Sequence, residues 1–347
     1  MPNHESTTLK RKRTLSQGDE SSQNNPPAPI ARSDIWMDDG SIVLQAEFTQ
    51  FRVHRTMLTR HSNIFKDMFS VSQPSSDLTV EGCPVVHLSD SAQDMKYVLS
   101  ALYDQTYISR VAIPFPAVAA MLRLGNKYEF IQLREDALFR LRSEFPSTLK
   151  EWQVLPSDYT HMVTQGGILY DIINLALEEG LFSILPAAYY LCIQDIVSPA
   201  NTLLKLSSPL RAGQNEIFSG QKRNDGTLAT LPPSVQKACI LGREEILVQQ
   251  AQATLGWLDV DSEVSDNCNQ QHSCATTCTQ LVSILWKPVP EPCRSLEKWS
   301  QLDPRGLCSA CREEAKRIHE AGRQHMWEKM PQIFGFLPWD ELRKLDR

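Results

Sequence analysis

No apolar run in the 347-residue chain approaches the roughly 18 residues that a membrane-spanning helix needs, so no helical span is expected. Residues 1–32 are polar and contain nothing like the apolar centre of a secretory signal, which points to the nucleus or cytoplasm. Positive charge is not in excess. Lys and Arg number 35 against 41 Asp and Glu, a formal net charge of −6, which argues against nucleic-acid binding by bulk electrostatics. The sequence also lacks a Gly-rich phosphate loop, a His-Glu metalloprotease pattern and a Gly-x-Ser-x-Gly elbow. Gly166-Gly167 stands alone, and the carboxylates are dispersed among basic residues. No catalytic residue is assigned, and the chain is not expected to be an enzyme. What it does have is 41% hydrophobic residues, enough for a sizeable core, and a length suited to two domains or one large one.

Residues 1–32 form a tail of Ser, Asn, Gln and Pro with almost nothing to bury, and disorder is expected there. Within it, Lys10, Arg11, Lys12 and Arg13 are a candidate nuclear import run; the plainer reading is a solvated basic patch. Order is expected from about Trp36. Ile42, Leu44 and Ala46 alternate with Val43, Gln45 and Glu47 as in a half-buried strand. A turn at Thr49-Gln50 and a second strand over 51–54 would complete a hairpin. One helix, capped by Thr56, is predicted from Met57 to Phe69, then a loop over 72–77 and a short strand at 85–88. Helices follow at about 95–103, 117–128 and 131–143. Helix pairs on a small sheet make an α+β domain.

Phe51-Arg52-Val53-His54-Arg55-Thr56-Met57-Leu58, Ser62-Asn63-Ile64-Phe65 and Met68-Phe69, in this order, resemble the signature of the BTB/POZ family. Val86-His87-Leu88, the segment from Val98 to Tyr103, and Leu124 to Tyr128 with Leu133 extend the likeness over about 33–145. The resemblance implies structural roles for Phe51, His54, Arg55, Leu58, Ser62 and Phe65. It implies protein-binding roles for Met68, Phe69, Val80, Glu81 and Tyr103. Ser41 stands where many family members open the first strand with Asp. In the apolar-x-Glu triplet of cullin-binding members, Thr79-Val80-Glu81 puts Thr in the apolar place. The segments 38–45 and 60–62 are similar to a large group of BTB proteins from mushroom-forming (basidiomycete) fungi. So are 171–176, 184–190, 239–243 and 327–339.

Residues 160–347 read as a mainly α-helical C-terminal domain. One helix ends near Gly180, another starts at Pro186, a polar loop covers 208–230, and a long helix spans 235–258. A charged helix after Cys311 should stop at Pro331, and the aromatic cluster from Phe334 to Leu342 should dock back on the domain. Nine cysteines, an odd number without a secretory signal, argue against a disulfide framework. Six of them crowd into the Cys-rich stretch 268–311. Cys274, Cys278, Cys308 and Cys311 form two pairs that suit a four-thiolate zinc site, with His272 or His319 as spare ligands. The plainer alternative is free thiols beside helix starts. A thioredoxin-like reading of Cys308 to Cys311 fails because a turn, not a strand, precedes them.

The leading expectation is a protein-interaction adaptor or scaffold. Its BTB domain would bind another BTB chain or a cullin, and its C-terminal half would select a client for a ubiquitin ligase. The alternative is a nuclear transcription or chromatin regulator with a zinc-stabilised C-terminal segment. Direct nucleic-acid contact is not expected, because the basic residues of that segment alternate with Glu.

Overall fold

The computed structural model describes residues 29–71, 78–194, 212–259, 264–286, 290, 292–302 and 304–346. The basic run Lys10, Arg11, Lys12 and Arg13 lies outside them. A five-stranded sheet opens the fold, with β1 (Ala31–Trp36), β2 (Ile42–Ala46), β3 (Thr49–Val53), β4 (Thr79–Val80) and β5 (Cys83–Leu88). Their order is β1-β3-β2-β5-β4. Strand β2 is central, antiparallel to β3 and parallel to β5. Ile42, Val43 and Leu44 are all buried, so β2 is covered on both faces rather than half-buried. The hairpin turn is Glu47-Phe48 and not Thr49-Gln50. Glu47 takes the left-handed conformation at φ 51°, and its carboxylate accepts the Ala92 N–H at 3.0 Å. Gln50 is paired opposite Gln45 and donates to its side-chain oxygen at 2.9 Å. Strand β1 lies at the sheet edge, parallel to β3. It begins before the point where order was expected, because an exposed edge strand of Ala, Arg, Ser and Asp carries no apolar alternation.

Where one helix was predicted there are two, α1 (Arg55–His61) and α2 (Asn63–Ser70). Ser62 separates them in extended backbone at φ −142°. Its hydroxyl accepts the Phe65 N–H at 3.0 Å and donates to the Tyr128 carbonyl, so the residue both caps α2 and ties it to a distant helix. Helices α3 (Ala92–Tyr103), α4 (Gln105–Ile108), α5 (Phe115–Tyr128) and α6 (Ile131–Glu144) follow, with the short strand β6 (Ile113–Pro114) entering α5. The helical face of Ala117, Val118, Met121, Leu122 and Leu124 makes α5 the buried axis of this region.

Two buried charges on α6 stitch in the next segment. The Arg140 guanidinium donates to Asp136 at 2.7 Å and to the carbonyls of Arg110, Val111 and His161. The Glu144 carboxylate accepts the N–H groups of Thr160 and His161. Residue 162 then pairs with β6 through β7 (Met162–Val163). Helix α7 (Leu149–Trp152) lies in between.

The C-terminal region is helical: α8 (Ile168–Glu179), closed by Gly180 at φ 70°, and α9 (Leu185–Gln194). The polar stretch read as a loop contains α10 (Ala212–Ser219) and a hairpin of β8 (Gln221–Lys222) and β9 (Leu228–Ala229). Helix α11 (Pro233–Gln249) runs into a π turn over Gln250–Thr254 and a 3-10 turn at Gly256–Leu258. Then come α12 (Gln271–Trp286), α13 (Trp299–Leu302), α14 (Ser309–Ile333) and α15 (Trp339–Leu345). Pro331 does not stop α14 but sits in its last turn, two residues before the end. A single apolar core runs from Ile42 to Leu342 without a break between the sheet domain and the helical region. A second, smaller core holds Leu255, Trp257, Leu258, Leu285, Leu302, Leu307 and Ala315 around four cysteines.

Candidate protein-binding surface and cysteine cluster

The junction of β3 and α1 is closed by a polar chain. The His54 N–H donates to the Tyr103 hydroxyl at 2.8 Å, and that hydroxyl lies 3.1 Å from His54 Nδ1. His54 Nε2 lies 3.0 Å from an Asp39 carboxylate oxygen. Read as one network, the Tyr103 hydroxyl donates to Nδ1 and the Nε2 proton goes to Asp39. Burial pushes the Tyr103 pKa up, which keeps its proton in place, and the hydrogen bond from His54 holds the Asp39 carboxyl below its usual range. The chain of acid, imidazole and hydroxyl looks catalytic in outline. Its terminal oxygen, however, is occupied by the His54 backbone, so it is a clasp between strand and helix. Ser41 Oγ accepts the Arg55 N–H at 3.0 Å beside it. The Arg55 side chain reaches the Phe69 carbonyl and lies over the Phe69 ring. Phe51, Leu58 and Phe65 are fully buried, and Phe65 stacks on Tyr128 at 4.8 Å.

The residues read as protein-binding are not gathered on one open face. Phe69 is 8% exposed and belongs to the core, while Tyr103 is held by His54. Glu81 and Gly82 form a tight turn between β4 and β5 with φ of 52° and 77°. The Glu81 carboxylate sits between Arg32 at 2.5 Å and Arg52 at 3.0 Å, and Arg32 foremost holds its pKa down. Val80 is half-buried. Met68 is half-buried on the outer edge of α2, flanked by Ile64 at 36% and Val71 at 67% exposure. Ile64 and Met68, four residues apart, share one edge of α2 beside the buried Phe65 and Phe69, and Val71 follows as the C-cap of the helix. That spacing was readable in the sequence, but periodicity alone does not tell a covered apolar edge from an open one.

The structure brings together Cys268, Cys274, Cys308 and Cys311, whose sulfurs all lie within 4.8 Å of one another. Cys278 is not among them, which corrects the expected set of Cys274, Cys278, Cys308 and Cys311. Cys278 lies one helical turn beyond Cys274, about 6 Å along α12, where it packs among apolar side chains and burial pushes its thiol pKa up. Cys268 comes instead from the turn that precedes α12. Cys308 caps α14, and Cys311 occupies its first turn. The Cys308 sulfur lies 4.0 Å from that of Cys268, and the Cys308 N–H points to the Cys274 sulfur at 3.3 Å. The N–H groups of Cys311 and Asn269 lower the Cys308 thiol to about 6, foremost that of Cys311. Burial pushes the Cys274 and Cys311 thiols up.

The spare ligands are elsewhere. His272 is exposed on α12. His319 is fully buried, with Nδ1 3.0 Å from the Thr254 carbonyl and Nε2 2.7 Å from that of Glu297. Burial depresses its pKa against the opposing pull of those carbonyls. It braces α14 against the turns at 254 and 297.

The terminal aromatic cluster docks on the main core. Trp339 stacks on Trp327 at 5.3 Å and donates its indole N–H to the Trp327 carbonyl, and Phe334 and Phe336 meet Tyr189 edge-on. Among the described residues, no helix is long and apolar enough to cross a membrane.

A mixed sheet with β1 at its edge, capped by the α1–α2 pair and the α5–α6 hairpin, defines an α+β interaction module at the head of a helical region. Residues 39–141, from the turn before β2 into the last turn of α6, match the family model of the BTB/POZ domain. The chain is therefore a BTB-domain-containing protein, and that domain is a protein–protein interaction module. No curated protein matches the chain.

Proposed function

We propose that this protein is an adaptor whose BTB domain binds a second protein through the exposed edge of α2, while the helical region carries a client. The observation that supports this reading is the exposed pair Ile64 and Val71 on either side of Met68, which itself packs partly against the BTB core. Isolated exposed apolar residues are ordinary; two that flank a half-buried Met on one short helix of an interaction module match the way amphipathic surfaces meet partners. A cullin scaffold or another BTB chain is the partner class that this reading favours. Recruitment to a ubiquitin ligase would then be the outcome.

Proximity labelling from the tagged full chain tests it. Enrichment of cullin peptides, lost in the double variant Ile64→Asp, Val71→Asp, supports the ligase adaptor. A steady set of chromatin proteins without cullin would favour the nuclear regulator instead. Labelling identical in the wild type and the double variant would remove α2 as the contact surface.

A further inference from the structure

The geometry points to a structural zinc site formed by Cys268, Cys274, Cys308 and Cys311. A tetrahedral zinc with Zn–S bonds of about 2.3 Å places its sulfurs about 3.8 Å apart. The four thiols already lie within 4.8 Å of one another, and the Cys268 and Cys308 sulfurs are 4.0 Å apart, a small contraction from closure. The ligand set is sulfur alone, which suits zinc among the common divalent ions and excludes magnesium or calcium.

Local structure supplies what a four-thiolate centre requires beyond its ligands. Four thiolates around Zn²⁺ leave a net charge of −2 on the centre. That charge falls at the start of α14, a 25-residue helix whose N-terminal N–H groups face it. The N–H of Cys308 is directed at the Cys274 sulfur at 3.3 Å. This is a second contact of the kind that orients a thiolate toward a metal. Gly306 lets the loop come close: at φ 115°, a Cβ there would meet the Thr277 hydroxyl at 2.4 Å. Its carbonyl accepts from Ser273 at 3.3 Å. The loop before α14 is thus laid directly on α12, and the two cysteine pairs converge.

The site closes the smaller core. Of the buried members of that core, Cys274, Cys308 and Cys311 are themselves ligands, so a metal there would tie α12 to α14 from within the core. All four positions are taken by protein sulfur, leaving none for water or substrate, so the metal would be a clamp and not a catalyst.

The full-length protein, purified without chelators, should carry one zinc per chain by elemental mass spectrometry. Cys278→Ser should retain it, and Cys268→Ser should bind less than half as much. Exchange with Co²⁺ should give the visible absorption of a tetrahedral cobalt thiolate in the wild type and in Cys278→Ser. A readout that needs no variant is alkylation of the wild type: Cys268 and Cys308 should react only after chelation. The inference is overturned by protein with reduced thiols and no zinc, by a Cys308–Cys311 disulfide in freshly purified protein, by zinc lost in Cys278→Ser but kept in Cys268→Ser, or by alkylation rates that chelation leaves unchanged.

Discussion

Ile64 and Phe65 are neighbours on one short helix and face different worlds. Phe65 is fully buried against Tyr128 and Phe130, whereas Ile64 is 36% exposed. The same split separates Met68 from Phe69. Replacing Phe69 by Ala should therefore cost about 3–5 kcal/mol of stability in denaturant unfolding, through loss of its contact with Phe65 and the Arg55 side chain. Such a variant would weaken every interaction of the domain for want of a folded protein and would be a poor probe of binding. Ile64→Asp should instead leave stability within about 0.5 kcal/mol in the same measurement, because the side chain is on the surface. At this scale the sequence was partly legible. The buried roles of Phe51, Leu58 and Phe65 follow from periodicity. The inward ties of Glu81 and Tyr103 do not, since Arg32 and His54 lie 49 residues from each of those partners in the chain. Cys268 was missed for a related reason: six residues from Cys274, it forms no familiar pair, and only the fold of the preceding turn brings it within reach.

Strong elements were readable and weak ones were not. Helices α5, α6, α8 and α9 carry long apolar faces, and both ends expected for α5 and α6, the end expected for α8 and the start expected for α9 fall within two residues of the observed ones. Strand β1 and the β8–β9 hairpin bury little and leave no periodic trace. The division of the first helix at Ser62 depends on a hydroxyl shared between the Phe65 N–H and the Tyr128 carbonyl, a contact between distant segments. Two elements are joined by details that can be tested. Gly242 on α11 faces the Phe334 ring, where an added Cβ would come within 2.4 Å. Gly242→Ala should cost about 1–3 kcal/mol by forcing that ring aside, read as a lowered unfolding midpoint at unchanged slope. Arg140 on α6 is 4% exposed and satisfies Asp136 and three carbonyls. Arg140→Leu should cost about 3–5 kcal/mol, because the partners it leaves behind stay buried without donors.

Across the whole molecule, the BTB fold and most of the helical region share one core, which makes separate unfolding of the two unfavourable. The boundary drawn at 145–160 is a boundary of resemblance and not of packing: Arg140, Glu144 and β7 carry α6 into the segment beyond it. The far end of the chain closes the same unit. The Asp346 carboxylate is almost fully buried. It accepts from the Ser183 N–H at 2.9 Å and from Arg142 on α6 at 2.9 Å, while Trp339 stacks on Trp327 and Leu342 is buried in the main core. Removing 339–347 deletes those two apolar side chains, worth about 1.5–3 kcal/mol each on burial, and leaves Arg142 without its carboxylate. Because the core is continuous, the loss should be felt in β2 and β3, far from α15 in sequence: hydrogen exchange there should quicken in the truncated chain along with exchange in α9. Chelation should do the opposite, quickening exchange over α12 while leaving β2 and β3 protected, because that helix belongs to the smaller core. Unchanged protection of the strands in the truncated chain would mean that the BTB domain stands alone and the helical region merely leans on it.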